Sequence, residues 1–214
     1  MKSYLESLKE KRLQKKGQKF LTTGRIEKAY KIFQKIILMN NSHSNIYNLA
    51  LSLMALTKYS EAEEYLKKIY QDFPGNELNT LALAECLIMQ KKWNEAIKFY
   101  EKVVTINPLS ETYKRYLKIS KDVIAREKYV KSRELFNAAT IELQQKNDEQ
   151  ALKILLEAVE FFPGNPNILN NIGTIYLILK DYKKAYNYFI KAVSQDPANQ
   201  KFQKNLQIVK RKLK

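Results

Sequence analysis

The sequence has little of what catalytic centres are made from. Its 214 residues include one cysteine, one histidine, one tryptophan, five glycines and five prolines. A single cysteine, Cys86, excludes an intramolecular disulfide framework and fits a reducing compartment. The only histidine, His43, would need partners to act as a base or metal ligand, and Cys86 alone does not supply them. The five glycines are accounted for structurally: Gly17 and Gly173 at close helix contacts, Gly24 in a turn, Gly75 and Gly164 after helix ends. No phosphate-cradling glycine loop remains. No catalytic residue, metal site or cofactor is therefore expected, and the chain does not read as an enzyme. No apolar run approaches the length of a membrane span. The start, MKSYLESLKEKRLQKK, lacks the apolar centre of a secretory signal. These absences lead to the expectation of a cytoplasmic protein.

Acidic residues are also few: 22 against 38 basic ones, for a net charge of +16. The excess is unevenly placed. Residues 1–42 carry 11 basic and 3 acidic side chains, 109–131 carry 7 and 3, and 198–214 carry 6 and none. Residues 43–108 and 132–197 each carry 7 and 8, so they contribute nothing to the excess. Basic clusters attract phosphate or acidic protein surface, and lysine-rich terminal helices also serve solubility alone. Hydrophobic content of 45% is that of a folded chain.

What is present is a repeat. The stretch from Pro166 to Pro197 reads PNILNNIGTIYLILKDYKKAYNYFIKAVSQDP. Leu169, Ile172, Gly173 and Tyr176 share one helical face, and Ala185, Phe189 and Ala192 mark a second after a break at Lys180 and Asp181. Asn165 and Asp181 are suited to cap the two helices, with Pro166 in the first turn. Pro197 and Pro163 lie 34 residues apart, as do Pro108 and Pro74. The unit ending at Pro163 supplies Leu135, Ala138, Ala139, Ala151, Leu155 and Ala158, and the unit ending at Pro108 supplies Leu83, Ala84, Leu87, Ala96, Tyr100 and Val103. The unit ending at Pro74 supplies Ile46, Leu49, Ala50, Leu53, Ala62, Leu66 and Ile69. A fifth, one residue shorter, supplies Leu13, Gly17, Phe20, Ala29, Phe33 and Ile36. Small positions let paired helices approach, and large ones fill the space between neighbouring units. Ser3 with Glu6 and Ser60 with Glu63 have capping-box spacing. Glu61, Glu63 and Glu64 read as a solvated helix start, and Trp93 as packing under a turn.

This pattern resembles the tetratricopeptide repeat, a helix–turn–helix unit of 34 residues. The resemblance covers roughly residues 10–42, 43–108 and 132–197. It implies an all-α fold, an α-solenoid of helix-turn-helix repeats with an extra connector helix and a C-terminal capping helix. The expected division is 1–108 for an array of about three repeats, 109–131 for the connector, 132–197 for an array of two repeats, and 198–214 for a basic capping helix. Residues 109–131 contain no glycine or proline and form either one long rod running on to about Gln145 or a broken helix. Lys118 and Lys121 stand where a further repeat would need small residues. In 198–214, Phe202, Leu206, Val209 and Leu213 form one apolar stripe that can seal an array end.

In this family, ligands contact first-helix residues that point away from the paired second helix. The resemblance places Tyr47, Asn48, Leu51 and Met54 there in the second unit, and Leu78, Leu81, Glu85, Ile88 and Met89 in the third. The fourth and fifth present Arg133, Phe136, Asn137, Thr140, Asn167, Asn170, Asn171 and Thr174. Helices apolar on nearly every side need a cover, which could come from a partner's peptide or helix, the 109–131 segment or a second copy. Asparagines can bond an extended peptide backbone. Family members that bind acidic chaperone tails use a lysine, asparagine and arginine clamp; here Asn48 and Asn171 match, but Gln14, Leu78 and Ala82 stand at clamp positions. The expected function is a protein-interaction scaffold, against nucleic-acid or anionic-surface binding through the basic ends and connector, or homo-oligomer formation through the connector.

Overall fold

The amphipathic periods of the sequence become helices wherever one apolar stripe can meet another. The computed structural model describes residues 4–213, and among these there are twelve helices and no strand. They are α1 (Tyr4–Thr22), α2 (Ile26–Met39), α3 (His43–Ala55), α4 (Tyr59–Asp72), α5 (Glu77–Met89) and α6 (Trp93–Ile106). Then come α7 (Glu111–Lys121), α8 (Val123–Gln144), α9 (Asp148–Phe161), α10 (Pro166–Ile178), α11 (Tyr182–Gln195) and α12 (Gln200–Lys212). The fold is an all-α helical repeat. The chain divides into two compact units, with the boundary between Arg126 and Glu127.

In the first unit, α1 pairs with α2, α3 with α4 and α5 with α6, and each hairpin stacks on the next through α2–α3 and α4–α5. In the second, Ala139 of α8 shares a core with Ala151, Leu155 and Ala158 of α9, followed by the α10–α11 pair. Most of the anticipated small and large positions meet as expected, but Ala138 is exposed and leaves Ala139 to make the close contact. A Cβ on Gly17 would lie 2.7 Å from the Phe33 ring, and one on Gly173 would lie 2.8 Å from the Phe189 ring. Ala29, Phe33, Ala62, Leu66, Ala96, Tyr100, Ala151, Leu155, Ala185 and Phe189 are all buried.

Two backbone devices repeat with the sequence. Within every hairpin the turn passes through one residue in the left-handed region: Gly24 (φ 74°), Thr57 (61°), Lys91 (58°), Lys146 (64°) and Lys180 (61°). The following amide reaches back five residues, as from Lys58 to the Leu53 carbonyl at 2.9 Å and from Lys92 to Leu87 at 3.0 Å. This is a Schellman closure, and only its first instance uses the residue that makes it free of strain. At four junctions an asparagine or serine side chain caps the helix that follows, whereas Ser42 before α3 makes no such bond. Asn76, Ser110, Asn165 and Asn199 each accept from a backbone amide in the first turn.

Ser110 shows what the stretch after Pro108 is. It lies 34 residues past Asn76, so α7 starts in the register of another first helix, and it packs on α6. Lys118 then occupies the place of Ala84, where a partner helix would have to approach, and α7 ends three residues later. The stretch is therefore a broken helix rather than one rod. Asp122 is extended and serves both sides: its amide bonds the Lys118 carbonyl, and its Oδ1 accepts from Ala125 N at 2.8 Å to start α8. α12 follows the α10–α11 hairpin of the second unit. It packs on α11 through buried Phe202 and Val209, with Leu206 half-buried and Leu213 exposed.

Two capping expectations end differently. Ser3 lies outside the described residues. Ser60 is already inside α4 and donates its hydroxyl to Gln90 Oε1 at 3.0 Å instead of capping. Glu63 is not solvated: it is buried, and its carboxylate meets Lys67 at 2.6 Å, Lys92 at 2.8 Å and Gln90 Nε2 at 2.6 Å. Burial pushes this carboxyl up, and the three donors outweigh that and hold it below its ordinary range. Glu63 thus ties α4 to the next hairpin. Glu10 does related work in the first hairpin, accepting from Asn40 at 2.7 Å and Asn45 at 2.9 Å.

Candidate functional site

First helices are packed on one side by their own partner and along another by neighbouring first helices, which leaves one strip uncovered. In the first unit that strip lies on α3 and α5, which touch each other. Tyr47 Oη reaches across to the Leu78 carbonyl at 3.4 Å. Leu51, Leu81, Asn48, Glu85 and Met89 are half-buried, and Leu78 is 60% exposed. These residues form a mixed apolar and polar strip that other helices leave partly exposed. Met54 and Ile88 do not belong to it: their relative exposures are 9% and 1%, because both turn into the core of the array. The position of Ala82 is also closed, at 5%.

The sequence reading missed Tyr113. Its hydroxyl donates to Glu77 Oε1 at 2.5 Å, joining α7 to the start of α5. Burial and then the Glu77 carboxylate push this phenol up to about 12. Tyr47 is raised as well, by burial first and by the charge of Glu85 second. The spacing of Ser110 from Asn76 was the signal that could have placed α7 beside α5 and Tyr113 near this strip.

In the second unit, Phe136, Asn137, Thr140, Asn171 and Thr174 are half-buried and Asn167 is exposed. The Arg133 guanidinium lies 5.9 Å from the Phe136 ring centre. Thr140 and Thr174 donate to the carbonyls of Phe136 and Asn170, both at 2.9 Å, so their protons are spent within their own helices. Asn170 is a correction. It is 1% exposed, and its Oδ1 accepts from Asn205 of α12 at 2.8 Å, so it fastens that helix. Asn137, Asn167 and Asn171 remain on the surface side.

Among the described residues no group of three His, Cys, Asp or Glu side chains gathers as a metal site would require. Cys86 is buried and its thiol is pushed far up, chiefly by burial. His43 meets Asp72 at 2.7 Å and the edge of Phe73, as a strut between α3 and the end of α4. Trp93 sits under the Arg126 guanidinium at 4.6 Å. No helix among the described residues is long and apolar enough to cross a membrane.

Family models for the tetratricopeptide repeat match residues 53–117 and 166–199. These two stretches are tetratricopeptide repeats. The first match runs from α3 into α7, consistent with α7 continuing the array. Among curated relatives, a tetratricopeptide repeat-containing protein, MJ1428, of Methanocaldococcus jannaschii is 28% identical over 184 residues, 85% of this chain and 28% of that protein. Anaphase-promoting complex subunit 3 of Schizosaccharomyces pombe is 24% identical over 186 residues, 79% of this chain and 28% of that protein. The chain thus spans under a third of the length of these relatives. Among solved structures, the first tetratricopeptide domain of Spaghetti (RPAP3), bound to the HSP90 peptide SRMEEVD, aligns with a TM-score of 0.52 at 21% identity, covering 56% of this chain and 95% of that one. Tetratricopeptide-repeat proteins are in general protein-interaction scaffolds, and this chain shares their fold.

Proposed function

We propose that this tetratricopeptide-repeat chain is a non-enzymatic interaction scaffold that holds a peptide or helix of a partner protein against its first helices. The observation that carries the reading is the half-buried state of Leu51 and Leu81 on adjacent first helices. With Tyr47 and Met89 these leucines make one contiguous apolar patch rather than scattered exposed side chains, and such a patch favours a face completed by another molecule. Asn137, Asn167 and Asn171 suit a second, more polar contact with an extended backbone. An acidic tail of the SRMEEVD kind fits α3 and α5 poorly. The clamp positions carry Gln14, Leu78 and Ala82, and Gln14 is spent on Asn45 at 2.6 Å.

Replacing both Leu51 and Leu81 by Glu should abolish recovery of co-purifying proteins with the intact chain while helical circular dichroism stays unchanged. Equal recovery by the double variant would remove this reading. A second reading rests on the basic last turn of α12, Lys210, Arg211 and Lys212, beside the excess in residues 1–42. It predicts retention on immobilised DNA or RNA that falls steeply with salt and drops when 198–214 is removed.

A further inference from the structure

Charge is distributed against composition on α3 and α5. The chain carries 38 lysines and arginines, yet none falls in residues 43–57 or 73–90, which contain these two helices. The acidic groups within α5 are Glu77 and Glu85. Glu77 is occupied, accepting at one oxygen from Tyr113 at 2.5 Å and from Asn107 at 3.4 Å. Glu85 is half-buried on the open strip and, among the described residues, makes no hydrogen bond or ion pair. Its charge lies close enough to Tyr47 to disfavour ionisation of that phenol.

We propose that the α3–α5 face takes an apolar segment of a partner protein bearing a single lysine or arginine, whose cation pairs with Glu85. The inference rests on the reading of this face as a docking surface and adds the chemistry of the occupant. A segment covering Leu51 and Leu81 also strips water from Glu85. An uncompensated carboxylate in that setting opposes binding, and an acidic segment opposes it more. A cation on the incoming segment turns the same burial into a charge-assisted contact. One cation suffices, because Glu77, the other carboxylate of α5, is already engaged by Tyr113 and Asn107.

The test is a random peptide display library panned on the intact chain, on the L51E/L81E variant and on E85K. Peptides with an apolar stripe and one lysine or arginine should be enriched on the wild type and lost on L51E/L81E. On E85K they should be replaced by peptides carrying an acidic residue. Exchanging the basic residue of a recovered peptide for Gln should weaken binding to wild type about ten-fold, and to E85Q hardly at all. Apolar peptides with no charge preference would overturn the Glu85 pairing and leave the docking face standing. Peptides that bind L51E/L81E equally well, or no enrichment at all, would overturn both. A dimer in light scattering that L51E/L81E converts to monomer would make the occupant a second copy and overturn the partner assignment.

Discussion

Glu63 offers the sharpest check on how the hairpins of the first unit are held together. Its side chain is 6% exposed, whereas Lys67 and Lys92 are 45% and 40% exposed. Glu63→Gln removes the charge and leaves two lysines that can swing into water, so the loss is smaller than for a fully buried pair. Breaking a buried pair costs about 3–5 kcal/mol. With the lysines recovering hydration and Gln90 losing its charged acceptor, about 2–3 kcal/mol is expected. Trp93 is the only tryptophan and adjoins Lys92, so its fluorescence reports unfolding of this unit. At a urea dependence of about 2 kcal/mol per molar, the midpoint should fall by about 1–1.5 M at pH 7. The pH dependence has a definite sign. A carboxyl held below its ordinary range stabilises the fold above the unfolded value near pH 4.3, and that contribution disappears as pH falls through the lowered folded value. The gap between wild type and Glu63→Gln should therefore persist from pH 8 to about 5 and narrow at lower pH. A midpoint shift under about 0.3 M, equivalent to about 0.6 kcal/mol, or an equal gap at pH 7 and pH 3, would refute the bridging role.

Three further outcomes are expected. Thr57→Gly should raise the same midpoint by the equivalent of about 0.5–1 kcal/mol. It relieves a β-branched residue at φ 61°, worth about 1–2 kcal/mol, against the larger entropy glycine loses on folding. Gly173→Ala should destabilise the second unit by about 1–3 kcal/mol, read by circular dichroism melting, because the new methyl meets the Phe189 ring at 2.8 Å. In a spectrophotometric titration, one phenol should ionise near pH 12 and vanish in Tyr113→Phe. Because that folded value is raised, Tyr113 stabilises the fold below pH 10 and the contribution fades as pH climbs through 12.

The repeat was legible because its small and large positions are fixed by the distance between paired helices. Gly17 facing Phe33 and Gly173 facing Phe189 follow from sequence spacing alone. The buried electrostatics were not legible. Glu63 looks like any acidic residue near a helix start, and only the approach of Lys92 from the next hairpin makes it a bridge. Ile88 and Asn170 were misplaced for a related reason. A helical face read by period gives direction to within one position, and the next helix decides which neighbour is covered. The end of α7 was half legible: Lys118 marked the absence of a partner helix, but the break at Asp122 depends on a side chain capping three residues ahead, without the usual glycine or proline.

The caps at Asn76 and Ser110, and those at Asn165 and Asn199, fall at intervals of one whole period. At these four places one helix pair hands over to the helix that follows through the same kind of side-chain cap. Duplication or excision of one period between such caps would rejoin like with like, since each hairpin depends only on its immediate neighbours. An array built this way can change length without redesign of its interior.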